Sequence, residues 1–417
     1  MAIIYIVLAL VLFVVIRGQE GTLRTPSSII VLTWAVFPAI NSFHPCGLYE
    51  LSLETHFCIF LSLFSFLIAY YSFYKKKPRV NINHFDEVND PLDVKLLIIL
   101  NAAVAIWLLT KISRARENLI LMGMAAQRDM ITENFGDTIE QVLYGTFAQP
   151  IVFASLAILS VLFFRSKKIN KLFMALVFVN IGLDVVIFAA RATLIKFIFY
   201  VFISFIFLGL KKYSRKQKLT FGFIIGIILF FVLLISEGRN EGTDWGVKET
   251  FVVYYIAPFN VLDYYINNPV FSQLTMDKLT YGTCMFGGLY NFIPSGMYVL
   301  FHTPYFGTDD LLTQVSAQSV DVAPNISMNA ACTADYAFLK DFSYLGIIIG
   351  FSIMALLLVK IKKSYELYPS IRHSAFYVFF IYEVFRLSIY HDFLFSSYVI
   401  TFFVIWFLTR RKRKIIF

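Results

Sequence analysis

The sequence predicts an all-α integral membrane protein with about eleven transmembrane helices. Of its 417 residues, 59% are hydrophobic and only 15% are charged, and the mean hydropathy is +0.71. A soluble domain has about a quarter of its residues charged. The apolar residues form blocks long enough to cross a hydrocarbon core of about 30 Å. Because backbone groups in lipid must pair within their own segment, we expect helices, and continuous runs such as 221–235 exclude a β-barrel.

Hydropathy defines the candidate spans. The first is expected to be an uncleaved helix rather than a signal peptide, because no positive charge precedes it and its first charge is Arg17, on the far side. The spans are at 2–16, 27–43, 56–74, 96–113, 147–164, 172–189, 193–210, 219–236, 344–359, 374–389 and 394–408.

The basic residues predict the orientation, since short cytoplasmic loops carry an excess of Lys and Arg. Every second loop is basic, and the clusters are at 17–24, 75–79, 165–171, 211–218, 360–363 and 410–414. This pattern places the N-terminus outside and the C-terminus inside. The net charge of +9 therefore reflects topology, and it does not indicate a nucleic-acid partner.

The chain divides into three regions. Residues 1–236 hold helices one to eight with a short outer loop at 114–146, and residues 344–417 hold the last three helices and a basic cytoplasmic tail. Between them, the outer loop 237–343 has eleven Asp or Glu against four Lys or Arg. A loop of this length is usually functional. Within it, 247–266 is typical of an amphipathic aromatic helix, and the Gly-rich stretch 282–296 predicts a re-entrant segment.

Several cations stand at the outer membrane edge, against the orientation rule: Lys111, Arg114, Arg116, Arg128, Arg191, Lys196, Arg239 and Arg386. Ionisable residues in or beside spans are functional candidates. Arginine suits phosphate, because its planar guanidinium stays charged and donates paired hydrogen bonds. The set therefore predicts a site for the pyrophosphate of a lipid-linked substrate. The alternative is that each pairs with a nearby acid, as Arg386 could with Glu383 or Asp392, and Arg191 with Asp184.

His391 is a candidate general base because it adjoins Asp392 at the outer end of a span. An ordinary interfacial histidine is the alternative. The four cysteines fit no metal-binding spacing. Cys284 and Cys332 fall in the same outer loop, where they are either bridged or two unpaired thiols. We expect no metal and no cofactor.

Four places in the sequence resemble the O-antigen polymerase (Wzy) family, the oligosaccharide repeat-unit polymerases. Arg191-Ala192-Thr193 is similar to that family's Arg-Thr step. Gly238-Arg239 followed by the tyrosine-rich stretch 254–265 looks like its Tyr/Gly-rich helix, and 281–289 looks like its Phe-Gly segment. Residues 325–346 resemble its Asn…Thr…Asp-Phe-Gly entry to the next helix, although Ser343 stands where a Gly often follows Asp-Phe.

The resemblance implies a metal-independent glycosyltransferase of the GT-C-like membrane type. Its substrates would be undecaprenyl-pyrophosphate-linked oligosaccharides, as donor and acceptor, and a chain-length regulator protein would be its partner. The residues themselves supply candidates for this transfer: arginines for the departing pyrophosphate, His391 or a loop carboxylate as the base, and an acidic, aromatic loop for the sugars. The candidate catalytic residues are Arg191, Arg239, His391 and Asp341. The candidate substrate-binding residues are Arg114, Arg116, Arg386, Tyr254, Tyr255, Tyr265 and Asn325.

Two other functions remain open from the sequence. A lipid-linked oligosaccharide flippase would have polar residues near the bilayer midplane and an internal repeat. No such repeat is evident, and the polar residues gather at one face. An O-antigen ligase would share the large outer loop and differ in its acceptor, the lipid A core.

Overall fold

The computed structural model describes residues 1–74, 92–117, 120, 138–165, 169–188, 192–208, 222, 226, 247–301, 307, 319–328, 331–368 and 370–409. This part of the chain is almost entirely helical. Its helices are α1 (Ala2–Glu20), α2 (Pro26–Asn41), α3 (Leu53–Phe73), α4 (Val94–Leu109), α5 (Ile139–Arg165), α6 (Lys171–Phe188), α7 (Ala192–Phe207), α8 (Val247–Phe251), α9 (Pro258–Asn267), α10 (Gly287–Tyr290), α11 (Phe292–Phe301), α12 (Ala334–Leu367), α13 (Ile371–Arg386) and α14 (Ser396–Leu408). An antiparallel hairpin joins β1 (Val320–Ala323) to β2 (Ile326–Met328).

Five of these helices are long and apolar enough to cross a membrane, namely α1, α3, α5, α6 and α12. The shorter apolar helices α2, α4, α7 and α14 coincide with further predicted spans. The prediction of a multi-pass α-helical membrane protein is therefore confirmed at the level of its class. The predicted span at 219–236 lies almost wholly outside the described residues.

The chain forms two compact units. The first comprises Met1–Arg79, Val247–Lys363 and Phe380–Tyr398, and the second comprises Val80–Gly246, Ser364–Phe379 and Val399–Phe417. In the second unit, α5 is the central helix, with 83% of its most apolar window buried. Side-chain amides link helices within this unit by hydrogen bonds.

Two of these amides bind directly to each other. Asn101 donates to the Ser155 hydroxyl at 2.8 Å, and Asn180 donates to the Asn101 side chain at 3.1 Å. Such interhelical hydrogen bonds join helices where lipid removes the usual hydrophobic driving force.

In the first unit, α9 lies over the beginning of α3. The Asp263 carboxylate accepts hydrogen bonds from the backbone N–H of Ser52 at 2.7 Å and from the hydroxyls of Ser52 and Thr55 at 2.6 and 2.7 Å. An acidic group at a helix N-terminus satisfies unpaired N–H groups and interacts favourably with the helix dipole. This contact fixes α9 to the beginning of the apolar helix α3.

Helix α12 consists of two parts. Its backbone leaves helical geometry at Phe342 and Ser343, and Ser343 has φ of 54° and ψ of −146°. We call residues 334–341, before this break, the buried stub, because all of them are buried. The apolar membrane helix begins only after the break, as the predicted span at 344–359 requires.

The break turns the chain so that the stub packs alongside the helix that follows it. In an unbroken helix, Phe338 and Gly346 would be about 12 Å apart along the axis. Instead, a Cβ atom at Gly346 would collide with the Phe338 carbonyl oxygen, and one at Gly350 would lie 2.5 Å from the Phe338 ring. Glycine at both positions permits this close approach.

The polar side chains of the stub bind several distant segments. Asp335 accepts from the Ser62 hydroxyl at 2.5 Å, and Tyr336 donates to the Ser272 carbonyl at 2.9 Å. The Lys340 ammonium group donates to the carbonyls of Gln273 at 2.6 Å and Lys278 at 2.7 Å. Three segments of the first unit are therefore fixed to one short helix.

We predict that Ser343→Gly stabilises the protein by about 1 kcal/mol, because a non-glycine residue in such a backbone conformation costs on the order of 1–3 kcal/mol. Ser352→Gly, within regular helix, is the control and should destabilise by roughly 0.5–1 kcal/mol. Thermal unfolding of both purified variants in one detergent measures the effect. A loss of stability in Ser343→Gly would contradict the prediction.

Candidate functional site

An open aromatic cleft of 620 Å³ lies in the first unit. Its lining residues come from two regions of the sequence: Tyr281, Gly282, Thr283, Met285, Phe286, Leu289 and Tyr290 from the outer loop, and Phe342 and Ile349 from α12. Phe342 stands at the helix break, where it contacts Tyr281 edge to face with ring centroids 6.2 Å apart. Aromatic side chains therefore face each other across the junction of the two regions.

A tight turn brings Tyr281 to the cleft. Tyr281 has φ of 49° and Gly282 has φ of 95°, so two successive residues adopt left-handed backbone. Glycine tolerates this geometry and tyrosine does not, which makes Tyr281 a strained residue at the rim. Hydrogen bonds with the stub maintain this turn.

Asp341, the last residue of the buried stub, anchors the turn. Its carboxylate accepts from the Thr280 hydroxyl at 2.6 Å and from the backbone N–H groups of Cys284 at 3.0 Å and Met285 at 2.6 Å. It is fully buried, so these three donors replace the water that a carboxylate otherwise requires. Asp341 therefore shapes the cleft from behind, and it does not line the cleft.

His391 binds the backbone of the same residue, Met285, at its carbonyl group. Its Nε2 lies 2.9 Å from the Met285 carbonyl oxygen. A carbonyl oxygen only accepts, so Nε2 carries the proton and donates it. Burial lowers the pKa of His391 below its usual value, outweighing the Met285 hydrogen bond and the charges of Asp392 and Asp341, which raise it. The imidazole is therefore neutral near pH 7, and its Nδ1 has no hydrogen-bond partner among the described residues.

Arg386 pairs with Asp392, as one of the two alternatives from the sequence predicts. Its Nε and Nη2 groups donate to the two carboxylate oxygens at 3.0 and 3.1 Å. The Asp392 side chain is 2% exposed, whereas that of Arg386 keeps 26% of its surface exposed. The guanidinium group is thus fixed at one edge, and its Nη1 group lies outside the pair. Asp392 directly follows His391, the residue that binds the Met285 carbonyl. The partner of Arg386 and the partner of Met285 are therefore neighbours in the sequence.

The other predicted site residues of the first unit are dispersed. Tyr255 is half-buried among aromatic rings, with centroids 5.1 Å from Phe251 and 6.0 Å from Phe385. Tyr254 is half-buried in the same helical segment. Tyr265 is 1% exposed, which makes it a core residue, and it packs on Tyr336 of the stub at 5.0 Å.

Asn325 is exposed in the turn of the β-hairpin. The backbone N–H of Tyr49 donates to the Val322 carbonyl of the hairpin at 2.9 Å. Arg114 and Arg116 are exposed in the second unit. Arg191 and Arg239 lie outside the described residues.

Cys284 and Cys332 are both free and buried, so no disulfide joins them. Burial raises the pKa of the Cys284 thiol to about 12, which leaves it protonated near neutral pH. The described residues contain no group of three His, Cys, Asp or Glu side chains placed to hold a metal ion.

The sequence did not indicate that Met285 would be central. Met285 contributes through its backbone: its N–H donates to Asp341 and its carbonyl accepts from His391. No pattern of residue types encodes such a contact. No protein-family model matches the chain, and no curated protein and no solved structure is significantly similar to it.

We predict that His391→Gln reduces the loss of stability at acidic pH. The unfolded chain binds a proton at this histidine below about pH 6.5, and the folded protein does not, so His391 contributes stability above that pH that is lost as the pH falls. The glutamine amide can still donate to the Met285 carbonyl. Between pH 7.5 and 5.5, wild type should lose up to about 1.4 kcal/mol more per pH unit than the variant.

Thermal unfolding at the two pH values measures this difference. His44→Gln, at an exposed histidine, is the control for removal of a histidine as such. Equal pH dependence in wild type and His391→Gln would show that the folded protein protonates His391 as readily as the unfolded chain does.

Proposed function

We propose that this protein is a membrane glycosyltransferase of the O-antigen polymerase type. It would join undecaprenyl-pyrophosphate-linked oligosaccharide repeat units at the periplasmic face of a bacterial inner membrane. The proposed architecture is GT-C-like, with about eleven spans, a periplasmic N-terminus and a cytoplasmic C-terminus. A chain-length regulator is its proposed protein partner.

One observation carries the proposal. The segments 281–289 and 340–346, which resemble two motifs of that family, lie together although about fifty residues separate them in the sequence. Asp341 of the second segment binds the backbone of Cys284 and Met285 in the first, and both segments line the aromatic cleft. Separate motifs of one active site are expected to meet in this way.

In the proposed reaction, a hydroxyl of the acceptor repeat unit attacks the anomeric carbon at the reducing end of the donor glycan. The new glycosidic bond forms as the bond from carbon to pyrophosphate oxygen breaks, and undecaprenyl pyrophosphate leaves with the electron pair. The hydroxyl proton passes to a base. Arginine side chains at the membrane edge stabilise the negative charge that develops on the leaving group.

The described residues support different roles for the proposed catalytic groups. Arg386 is held by Asp392 with its side chain partly exposed, and its guanidinium group is suited to a phosphate oxygen. Asp341 binds the backbone N–H of Met285 and His391 binds its carbonyl, so both act as positioning residues. Arg191 and Arg239 are assigned to the leaving group by sequence alone.

Complementation of a strain that lacks its own polymerase and makes the matching repeat unit tests this function. A long lipopolysaccharide ladder on a gel is the expected result. Core that carries a single repeat unit throughout would contradict polymerase activity. The strain keeps its own ligase, because without it no repeat unit is attached to the core and the gel does not report on the polymerase.

In the same assay, Arg191→Ala and Arg239→Ala should each abolish the ladder, since each removes a cation from the leaving-group site. Both proteins should reach the membrane in wild-type amounts by immunoblot. Arg24→Ala, at an exposed arginine of the predicted cytoplasmic side, is the control and should keep the ladder. Wild-type ladders from both Arg191 and Arg239 variants would remove the leaving-group role.

A double substitution separates the ion-pair role of Arg386 from a phosphate-binding role. Arg386→Gln alone removes the ion pair of the buried Asp392 carboxylate and should destabilise by roughly 3–5 kcal/mol. Adding Asp392→Asn allows two neutral amides to pair, and should recover most of that stability. We expect the stable double variant to produce no ladder, because an amide cannot replace the paired, charge-assisted hydrogen bonds that a guanidinium group donates to a phosphate oxygen.

The matched control is a second buried ion pair of the same unit, in which the Lys362 ammonium group lies 2.5 Å from the Glu20 carboxylate. The double variant Lys362→Gln with Glu20→Gln should keep the ladder. If the Arg386 and Asp392 double variant also keeps it, the arginine serves only the ion pair.

A further inference from the structure

The outer loop contains a long stretch without charge. From Leu279 through Thr308 the sequence has no Asp, Glu, Lys or Arg, although Asp277 and Lys278 precede it and Asp309 follows it. The loop as a whole is strongly acidic, so this stretch is a clear departure from its surroundings. We call the described part, residues 279–301, the apolar segment.

The apolar segment exposes its hydrophobic side chains. Nine of its large apolar or aromatic residues are exposed, among them Phe286, Leu289, Ile293 and Leu300. Contiguous apolar patches of this kind on a protein surface mark a binding partner or a membrane. The protein itself covers none of these side chains fully.

Much of the segment's backbone is paired, as hydrocarbon requires. Seven of its N–H groups, from Thr283 to Ser295, donate to carbonyls three or four residues earlier, and those of Cys284 and Met285 donate to the Asp341 carboxylate. Helix α11 then continues to Phe301. Backbone at membrane depth must have its polar groups paired in this way.

The cleft fixes the depth of the segment. Leu289 and Phe286 line the cleft together with Ile349, which belongs to the membrane helix α12. Ile349 is six residues past the break at Ser343, which corresponds to about 9 Å along the helix axis. The apolar segment is therefore level with the apolar part of α12. The ten described residues of α11 extend about 15 Å, which is half of the hydrocarbon core.

We propose that residues 279–301 insert into the outer leaflet of the membrane as a non-spanning element, with the bilayer's hydrocarbon chains covering its exposed face. The aromatic cleft then opens at the level of the lipid chains. The insertion does not depend on the proposed function, although it would let a lipid-linked substrate reach the cleft from within the bilayer.

Two cysteine variants of the full chain test the insertion. Ile293 is 70% exposed in the apolar segment, and Val270 is 77% exposed in the charged part of the same loop. Neither side chain packs in the core, so both variants should fold. A charged, membrane-impermeant maleimide is added to both faces of freeze–thawed proteoliposomes, and wild type supplies the background from Cys46, Cys58, Cys284 and Cys332.

We expect the cysteine of Ile293→Cys to react at least about tenfold more slowly than that of Val270→Cys, because the reactive thiolate does not form in hydrocarbon. Both should react fully after denaturation in SDS. A fluorophore placed on the Ile293→Cys thiol should be quenched by phosphatidylcholine bearing a nitroxide on its acyl chain, and one on Val270→Cys should not.

Equal reactivity of the two cysteines would overturn the insertion. Slow reaction at position 293 without quenching by the nitroxide lipid would overturn it as well, and would indicate that protein covers the segment, as a second copy of the chain would. Neither readout requires glycan transfer, so a failed complementation and a failed insertion are distinguishable.

Discussion

The first unit depends on one constraint, which is that the polar side chains of the buried stub must all find partners without water. Burial of an unpaired polar group costs several kcal/mol, so each partner is fixed once the stub is buried. Asp335 requires α3, Tyr336 and Lys340 require the loop after α9, and Asp341 requires the turn at 280–285. The stub can be buried only because the chain breaks at Ser343 and because Gly346 and Gly350 admit Phe338.

The cleft is a consequence of this arrangement. The backbone N–H of Met285 donates to Asp341, and the backbone carbonyl of Met285 accepts from His391. The wall of the cleft is therefore attached both to the stub and to the segment after α13. The helix break places Phe342 opposite Tyr281. Burial and fixed hydrogen bonds determine where the aromatic rings lie, and that degree of preorganisation is what a site for an extended substrate requires.

The hydrophobic pattern predicted the long apolar helices of the described residues and did not predict which charges between them are buried, for one physical reason. Hydropathy identifies α3 and α6 because a continuous apolar run has few alternatives in lipid. It treats Asp335, Lys340 and Asp341 as solvent-facing charges of an acidic loop, yet all three are buried. Their partners are hydroxyls and backbone groups from distant segments, and no local pattern records those. Tyr265 illustrates the same limit, since its sequence context suits a membrane interface or a sugar and its side chain lies in the core.

The Arg386–Asp392 pair changes what the arginines can contribute. Because Asp392 neutralises Arg386, the pair adds little net charge to its surroundings, and Arg386 would act on a phosphate mainly as an oriented hydrogen-bond donor. A leaving pyrophosphate needs net positive charge as well. In the proposed reaction that charge is assigned to Arg191 and Arg239, which lie outside the described residues. An ion pair that orients one guanidinium group therefore makes the remaining cations more important to the chemistry, since orientation and charge are supplied by different residues.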